Sequence, residues 1–212
     1  MTSHAGASPT ASSEPPATAG SALILASSSP RRLELLAQVG ISPDRVEVPD
    51  VDEAVGRREL PRAHALRMAL EKARAVQQRL GSERAWILAA DTVVACGRRI
   101  LPKAASEEEA GRCLDLLSGR RHRVHGGICV VAPDGRTRCR DVITMVRMKR
   151  LTAAERSAYL ASGEWSGKAG GYAIQGLAAA LIPAINGSYS NIVGLPLTET
   201  VGLLESLGWR RP

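Results

Sequence analysis

The junction at residues 22–36 constrains this chain most. A short apolar run, Ala-Leu-Ile-Leu-Ala, passes through Ser27-Ser28-Ser29 into Pro30-Arg31-Arg32-Leu33-Glu34-Leu35-Leu36. An apolar run of this length bounded by serines reads as a buried strand. Ser29 can cap the next helix, Pro30 suits its first position, and Gly40 suits the residue after its end. A helix start exposes unpaired backbone N–H groups, and its dipole favours an anion there. With three hydroxyls before it and two guanidinium forks on its first turn, this turn suits a di- or triphosphate. Taken alone, the segment is also explained by a capped helix carrying two solvated arginines.

Further along, strands and helices alternate. Arg45–Val48 reads as a second strand, followed by the acidic loop Asp50-Val51-Asp52-Glu53. Pro61 opens a long helix to about Leu80, and Ala85–Ala90 reads as a buried strand ending at Asp91. Ser106 with Glu109, and Thr152 with Glu155, fit capping boxes that open helices. Between those helices, His122–Val131 and Thr137–Lys149 flank Pro133-Asp134-Gly135-Arg136, a hairpin signal. A glycine-rich stretch (Gly170, Gly171, Gly176), a strand near Leu181–Ile185, an Asn186-Gly187 turn and a helix from about Pro196 complete the order. Such a pattern predicts a mixed central sheet with flanking helices in one α/β domain over residues 21–212.

Composition limits the rest. Residues 1–20 hold no Lys or Arg and no sustained apolar run, so they read as a disordered tail rather than a targeting segment. No apolar run approaches the ~20 residues of a membrane span. Four scattered cysteines (Cys96, Cys113, Cys129, Cys139) without a C-x-x-C pair read as separate reduced thiols, which fits the cytoplasm. Aromatics are only 3% of the chain and Phe is absent, so base stacking is a poor candidate for the main recognition device. The net charge of +7 suits a polyanion, either nucleic acid or a small phosphate ester. Only four of the 28 basic residues are lysines, namely Lys72, Lys103, Lys149 and Lys168. A lysine kept in so arginine-rich a chain points to a need for a compact ammonium.

Asp91, closing an apolar strand, would sit where α/β chemistry usually sits. Glu53 and Asp52 could converge on the same edge, since paired carboxylates plus phosphate oxygens form a normal Mg²⁺ site. Gln175 carries a donor and an acceptor, the equipment for reading a base edge. Each of these residues also has a plain structural explanation in a turn or loop. His122 and His125 lie three apart on a predicted strand and face opposite sides, so no histidine is assigned to metal.

These segments in this order resemble the Maf family of nucleotide pyrophosphatases. The resemblance runs from Leu23-Ile24-Leu25-Ala26-Ser27-Ser28-Ser29-Pro30-Arg31-Arg32 through Leu70-Glu71-Lys72-Ala73 and Ala90-Asp91-Thr92-Val93-Val94. It continues through Leu117-Ser118-Gly119, Tyr159–Gly176 and Asn186–Leu197, about residues 22–208 in all. It implies an elongated, ITPase-like α/β fold with two lobes around a cleft, usually dimeric. It also implies hydrolysis of a nucleoside triphosphate between its α- and β-phosphates with Mg²⁺ or Mn²⁺. Asp91 falls on the family's proton acceptor, and Arg31, Thr92 and Gln175 fall on positions linked to substrate choice. Ser27 belongs to the phosphate turn, and Arg32, Glu53, Lys72 and Lys103 match cleft positions touching phosphate or metal.

Ser-Pro-Arg-Arg, Asp-Thr and Ile-Gln-Gly together resemble the branch acting on dTTP and UTP, for which removal of modified nucleotides and a link to cell-division arrest are further expectations. One departure stands out: Pro102-Lys103-Ala104 replaces the usual Gly-Lys-Pro. Two rivals stay open, a pyrophosphatase for a purine or modified base and a non-enzymatic division regulator binding nucleic acid. The scattered arginines and scarce aromatics disfavour the nucleic-acid reading.

Overall fold

The computed structural model describes residues 21–211, so the expected tail at residues 1–20 lies outside it. Strand β1 (Leu23–Ala26) leads into helix α1 (Pro30–Gln38) and edge strand β2 (Arg45–Glu47). The long helix α2 (Pro61–Leu80) precedes β3 (Trp86–Cys96), the short β4 (Arg99–Leu101) and α3 (Glu107–Leu117). The hairpin β5 (Arg121–Val131) and β6 (Thr137–Arg147) is followed by α4 (Ala153–Ala161). A 3₁₀ turn (Leu177–Leu181), β7 (Ala184–Asn186), α5 (Tyr189–Val193) and α6 (Leu197–Leu207) close the chain.

The strands form one seven-stranded mixed sheet in the order β2-β1-β3-β5-β6-β7, with β4 paired to β3. β1 runs parallel to both neighbours, and all four of its residues are buried. That burial on both faces is what a continuous apolar run requires. One apolar cluster lies between the sheet and α2, and a second lies on the opposite face under α1 and α6. A third cluster gathers α3, α4, Tyr172 and the 3₁₀ turn at the other end of the molecule. The expected mixed central sheet with flanking helices is therefore present.

β3 departs from expectation. It continues five residues beyond Asp91, to Cys96, because β5 stays paired with it from Ile87 to Ala95. Asp91 therefore lies inside a ladder rather than at a strand end. β1, however, stops at Ala26 opposite Ala89, so Asp91 lies just past the end of the parallel neighbour. Side chains alternate along the strand, and Asp91 continues the row Ile87, Ala89 beneath α2.

The cysteine expectation holds for Cys96 and Cys113, which are free, but fails for the other two. Cys129 and Cys139 are cross-strand partners in the β5–β6 register and are joined as a disulfide. Spacing along the chain hides this pairing, because the hairpin turn alone brings them opposite each other.

Helix α2 buries His64, Ala65, Met68, Ala69, Lys72, Ala73 and Val76, one continuous stripe at helical spacing. The stripe seats at Gly127, the cross-strand partner of Asp91, where an added Cβ would run into the Ala65 carbonyl oxygen. A glycine there lets the helix backbone approach the sheet. Gly127→Ala is expected to destabilise the protein by about 1–3 kcal/mol, the usual cost of overpacking. Urea unfolding checks this, and an unchanged midpoint would contradict the close seating of α2.

Candidate functional site

α1 begins with Ser29 at the N-cap and Pro30 in the first turn, as expected, but the Ser29 side chain makes no capping bond. Ser27 does the local work instead. Its hydroxyl oxygen accepts from the Ser29 amide at 3.1 Å and from Arg32 Nη1 at 2.8 Å. No acidic side chain occupies the first turn of α1, so its positive end is left for an external anion.

The two arginines part company. Arg32 is buried, and its Nε donates to the Gly194 carbonyl at 2.9 Å while Nη2 reaches Thr92 Oγ1 at 3.4 Å. Three of its N–H directions are thus committed to β3, the serine turn and the loop after α5. Arg31 is half-buried and donates from Nε to the Val193 carbonyl at 3.4 Å, leaving the outer part of its fork toward the cleft. Burial depresses the pKa of both guanidinium groups, though an arginine stays charged in any case.

Across the cleft, the buried Lys72 ammonium stands 2.5 Å from Glu53 Oε1 and 2.7 Å from Asp91 Oδ1. Glu53 also pairs with Lys103. Burial would raise the Glu53 carboxyl, but the Lys103 and Lys72 hydrogen bonds outweigh it and hold it at about 2. The loop bearing Glu53 is fastened to α2 at two points. Arg67 donates to the Ala54 carbonyl and Arg79 to the Val48 carbonyl, each at 2.9 Å.

Lys103 sits in a short ribbon with residues 167–170. Ala104 N–H donates to the Lys168 carbonyl at 3.1 Å and Gly167 N–H to the Ala104 carbonyl at 2.9 Å. The departure Pro102-Lys103-Ala104 thus gains a bond that a proline at 104 could not make. Lys168 faces the same cavity, and burial, aided by Arg31, lowers its pKa.

A cavity of about 350 Å³ joins these parts. Ser27, Arg31, Arg32, Glu53, Lys72, Thr92, Lys103 and Gln175 all line it. Asp91 does not. It lines an adjoining cavity of about 340 Å³ whose wall shares Glu53, Thr92, Lys103 and Ala169 with the first. Sequence reasoning singled out neither the rim at Ile192–Gly194 nor Tyr172, which is hydrogen-bonded to His122 Nε2 at 2.8 Å. Both lie far along the chain from the phosphate turn, and only tertiary packing brings them in.

Two carboxylates held by one ammonium lie within reach of a single cation. Among the described residues, no group of three or more His, Cys, Asp and Glu side chains forms a metal site. The donor set therefore fits an ion that takes two carboxylates and fills its remaining positions from phosphate and water, as Mg²⁺ does.

Fold and site together define an α/β protein with a cationic, carboxylate-backed cleft sized for a phosphate-bearing small molecule. The chain belongs to the Maf family, since the family model described as Maf-like protein matches residues 22–207. It is 59% identical over 192 residues to the dTTP/UTP pyrophosphatase of Caulobacter vibrioides, covering 91% of this chain and 98% of that one. To the dTTP/UTP pyrophosphatase of Paramagnetospirillum magneticum it is 62% identical over 187 residues, covering 88% and 97%. Among solved structures, the Staphylococcus aureus Ham1 protein aligns with 59% of this chain and 71% of its own at 18% identity and TM-score 0.43. No described helix is long and apolar enough to cross a membrane.

Burial pushes His122 down to about 4, against about 6.5 for an exposed histidine. The unfolded chain therefore takes up this proton first, so the stability from neutral His122 is complete above about pH 6.5 and is lost as pH falls toward 4. Urea unfolding should show a declining midpoint between pH 7 and 4.5, and His122→Phe should flatten that decline. Equal declines in both proteins would contradict the assignment.

Proposed function

We propose that this chain is a nucleoside triphosphate pyrophosphatase that hydrolyses dTTP and UTP to the monophosphate and pyrophosphate. One observation carries the reading. A cationic cleft at the start of α1 is walled by Glu53 and Lys72, and Lys72 in turn grips Asp91. The names of the similar proteins from Caulobacter vibrioides and Paramagnetospirillum magneticum support the choice of dTTP and UTP.

In this mechanism the triphosphate lies against the start of α1, where backbone N–H groups, Arg31 and Lys103 balance its charge. Arg32 keeps the serine turn, Thr92 and the Gly194 loop in register, and Gln175 reads the base edge. Asp91 accepts a proton from the water attacking the α-phosphorus. Lys72 keeps that carboxylate oriented. Pyrophosphate departs toward the arginine and lysine side, where fixed positive charge stabilises it. Glu53 and Asp91 would hold Mg²⁺ or Mn²⁺, which supplies further charge neutralisation on the phosphates. Positioning and preorganised charge are the usual means of phosphoryl chemistry.

The reading includes a homodimer in the cytoplasm with no nucleic-acid partner. Analytical ultracentrifugation tests the first point, and salt-dependent DNA binding would count against the last.

Incubating the protein with a nucleotide panel and Mg²⁺ should release pyrophosphate fastest from dTTP and UTP. Preference for a purine triphosphate would overturn the base assignment. Asp91→Asn should retain nucleotide binding and lose about 10²–10⁴-fold in kcat, the usual contribution of a general base. Near-normal turnover in that variant would remove Asp91 from the mechanism.

A further inference from the structure

The pleat of β3 sends Asp91 and Thr92 to opposite faces of the sheet. Thr92 turns toward Arg32 and the Gly194 carbonyl, both on the side of the large cavity. Asp91 turns beneath α2, where it meets Lys72 and borders only the adjoining cavity. A nucleotide lying in the large cavity thus has the carboxylate behind a shared wall of Glu53, Thr92, Lys103 and Ala169.

The adjoining cavity is walled mainly by apolar groups, among them Val55, Val93, Ile100 and Leu101, with five polar residues: Glu53, His64, Asp91, Thr92 and Lys103. An ordered water needs room and two to four polar partners, and this cavity offers both. His64 is held through Nδ1, which faces Glu59 Oε2 at 2.9 Å, and Arg67 Nη2 donates to the same carboxylate oxygen at 2.8 Å. Its Nε2 makes no hydrogen bond to a described residue and is not among the sealed, unpartnered atoms, which leaves it open to the cavity that the ring lines.

We propose that the adjoining cavity is the water site of the enzyme, holding the attacking water against Asp91 and admitting it to the nucleotide through the shared wall. The proposal rests on the pyrophosphatase reading. The water oxygen bonds to the α-phosphorus, and the bond from that phosphorus to the bridging oxygen breaks, leaving its electron pair on pyrophosphate. One water proton goes to Asp91. His64, Glu53 and Lys103 orient the water without entering the bond changes.

Filling the cavity tests this without replacing any phosphate-binding group. Ile100→Trp, on β4, should lower kcat for dTTP at least tenfold and leave KM within twofold. Ile100→Ala should keep both within twofold, which separates blocked water from a disturbed strand. Should Ile100→Trp fail to fold, Val55→Trp from the exposed loop makes the same measurement. Unchanged kcat in a folded, filled variant would overturn the proposal. A raised KM with unchanged kcat would also overturn it, because the cavity would then hold part of the nucleotide. Failure of the unaltered protein to release pyrophosphate would instead overturn the activity on which the proposal rests.

Discussion

Everything at this site depends on the Lys72 ammonium, buried between Glu53 and Asp91. Removing an ammonium and a carboxylate from water costs several kcal/mol per ion, and pairing returns that only when the geometry is good. A buried ion pair is therefore poor evidence of stability selected for its own sake. Here it has a positional consequence. Lys72 lies in the buried stripe of α2, so the packing that fixes the helix on the sheet also fixes the cation against Asp91. Glycine at 127 permits that approach, and Arg67 and Arg79 tie the Glu53 loop to the same helix. One helix therefore sets the position of both carboxylates.

The opposite wall is built on a different economy of charge. Arg32 is an internal brace, its fork spent on Ser27, Thr92 and Gly194, while Arg31 keeps part of its fork for the cleft. Two adjacent arginines thus divide structure and recognition between them. Adjacent positions on a helix are about 100° apart, so they cannot face the same way. Lys103 and Lys168 line the same cavity from a shared ribbon of backbone hydrogen bonds.

Much of this was legible in the sequence because the signals were local. The buried strand β1, the proline-opened helices α1 and α2, the Thr152 capping box and the β5–β6 hairpin follow from short-range chemistry. What escaped depends on pairing between distant segments. The extension of β3 past Asp91 is imposed by β5, and the Cys129–Cys139 link is imposed by hairpin register. The side-chain cap expected of Ser29 is not made, and the Ser27 hydroxyl, turned inward by Arg32, accepts from the Ser29 amide just ahead of the helix. The second cavity could not be read at all, since alternation along β3 matters there only once α2 is known to cover one face. Lys72 could have been flagged more strongly, because a lysine inside an apolar helical stripe demands a buried partner.

The central claim is that one nucleotide spans from the start of α1 to the carboxylates beside Lys72. A crystal structure with Mg²⁺ and a dTTP analogue whose α–β bridge resists hydrolysis measures this directly. The account requires the triphosphate against Arg31 and Lys103, the α-phosphate facing Glu53 and Asp91, and the base near Gln175. A nucleotide bound with its phosphates away from α1, or with its α-phosphate away from the wall that the large cavity shares with the Asp91 cavity, would contradict it.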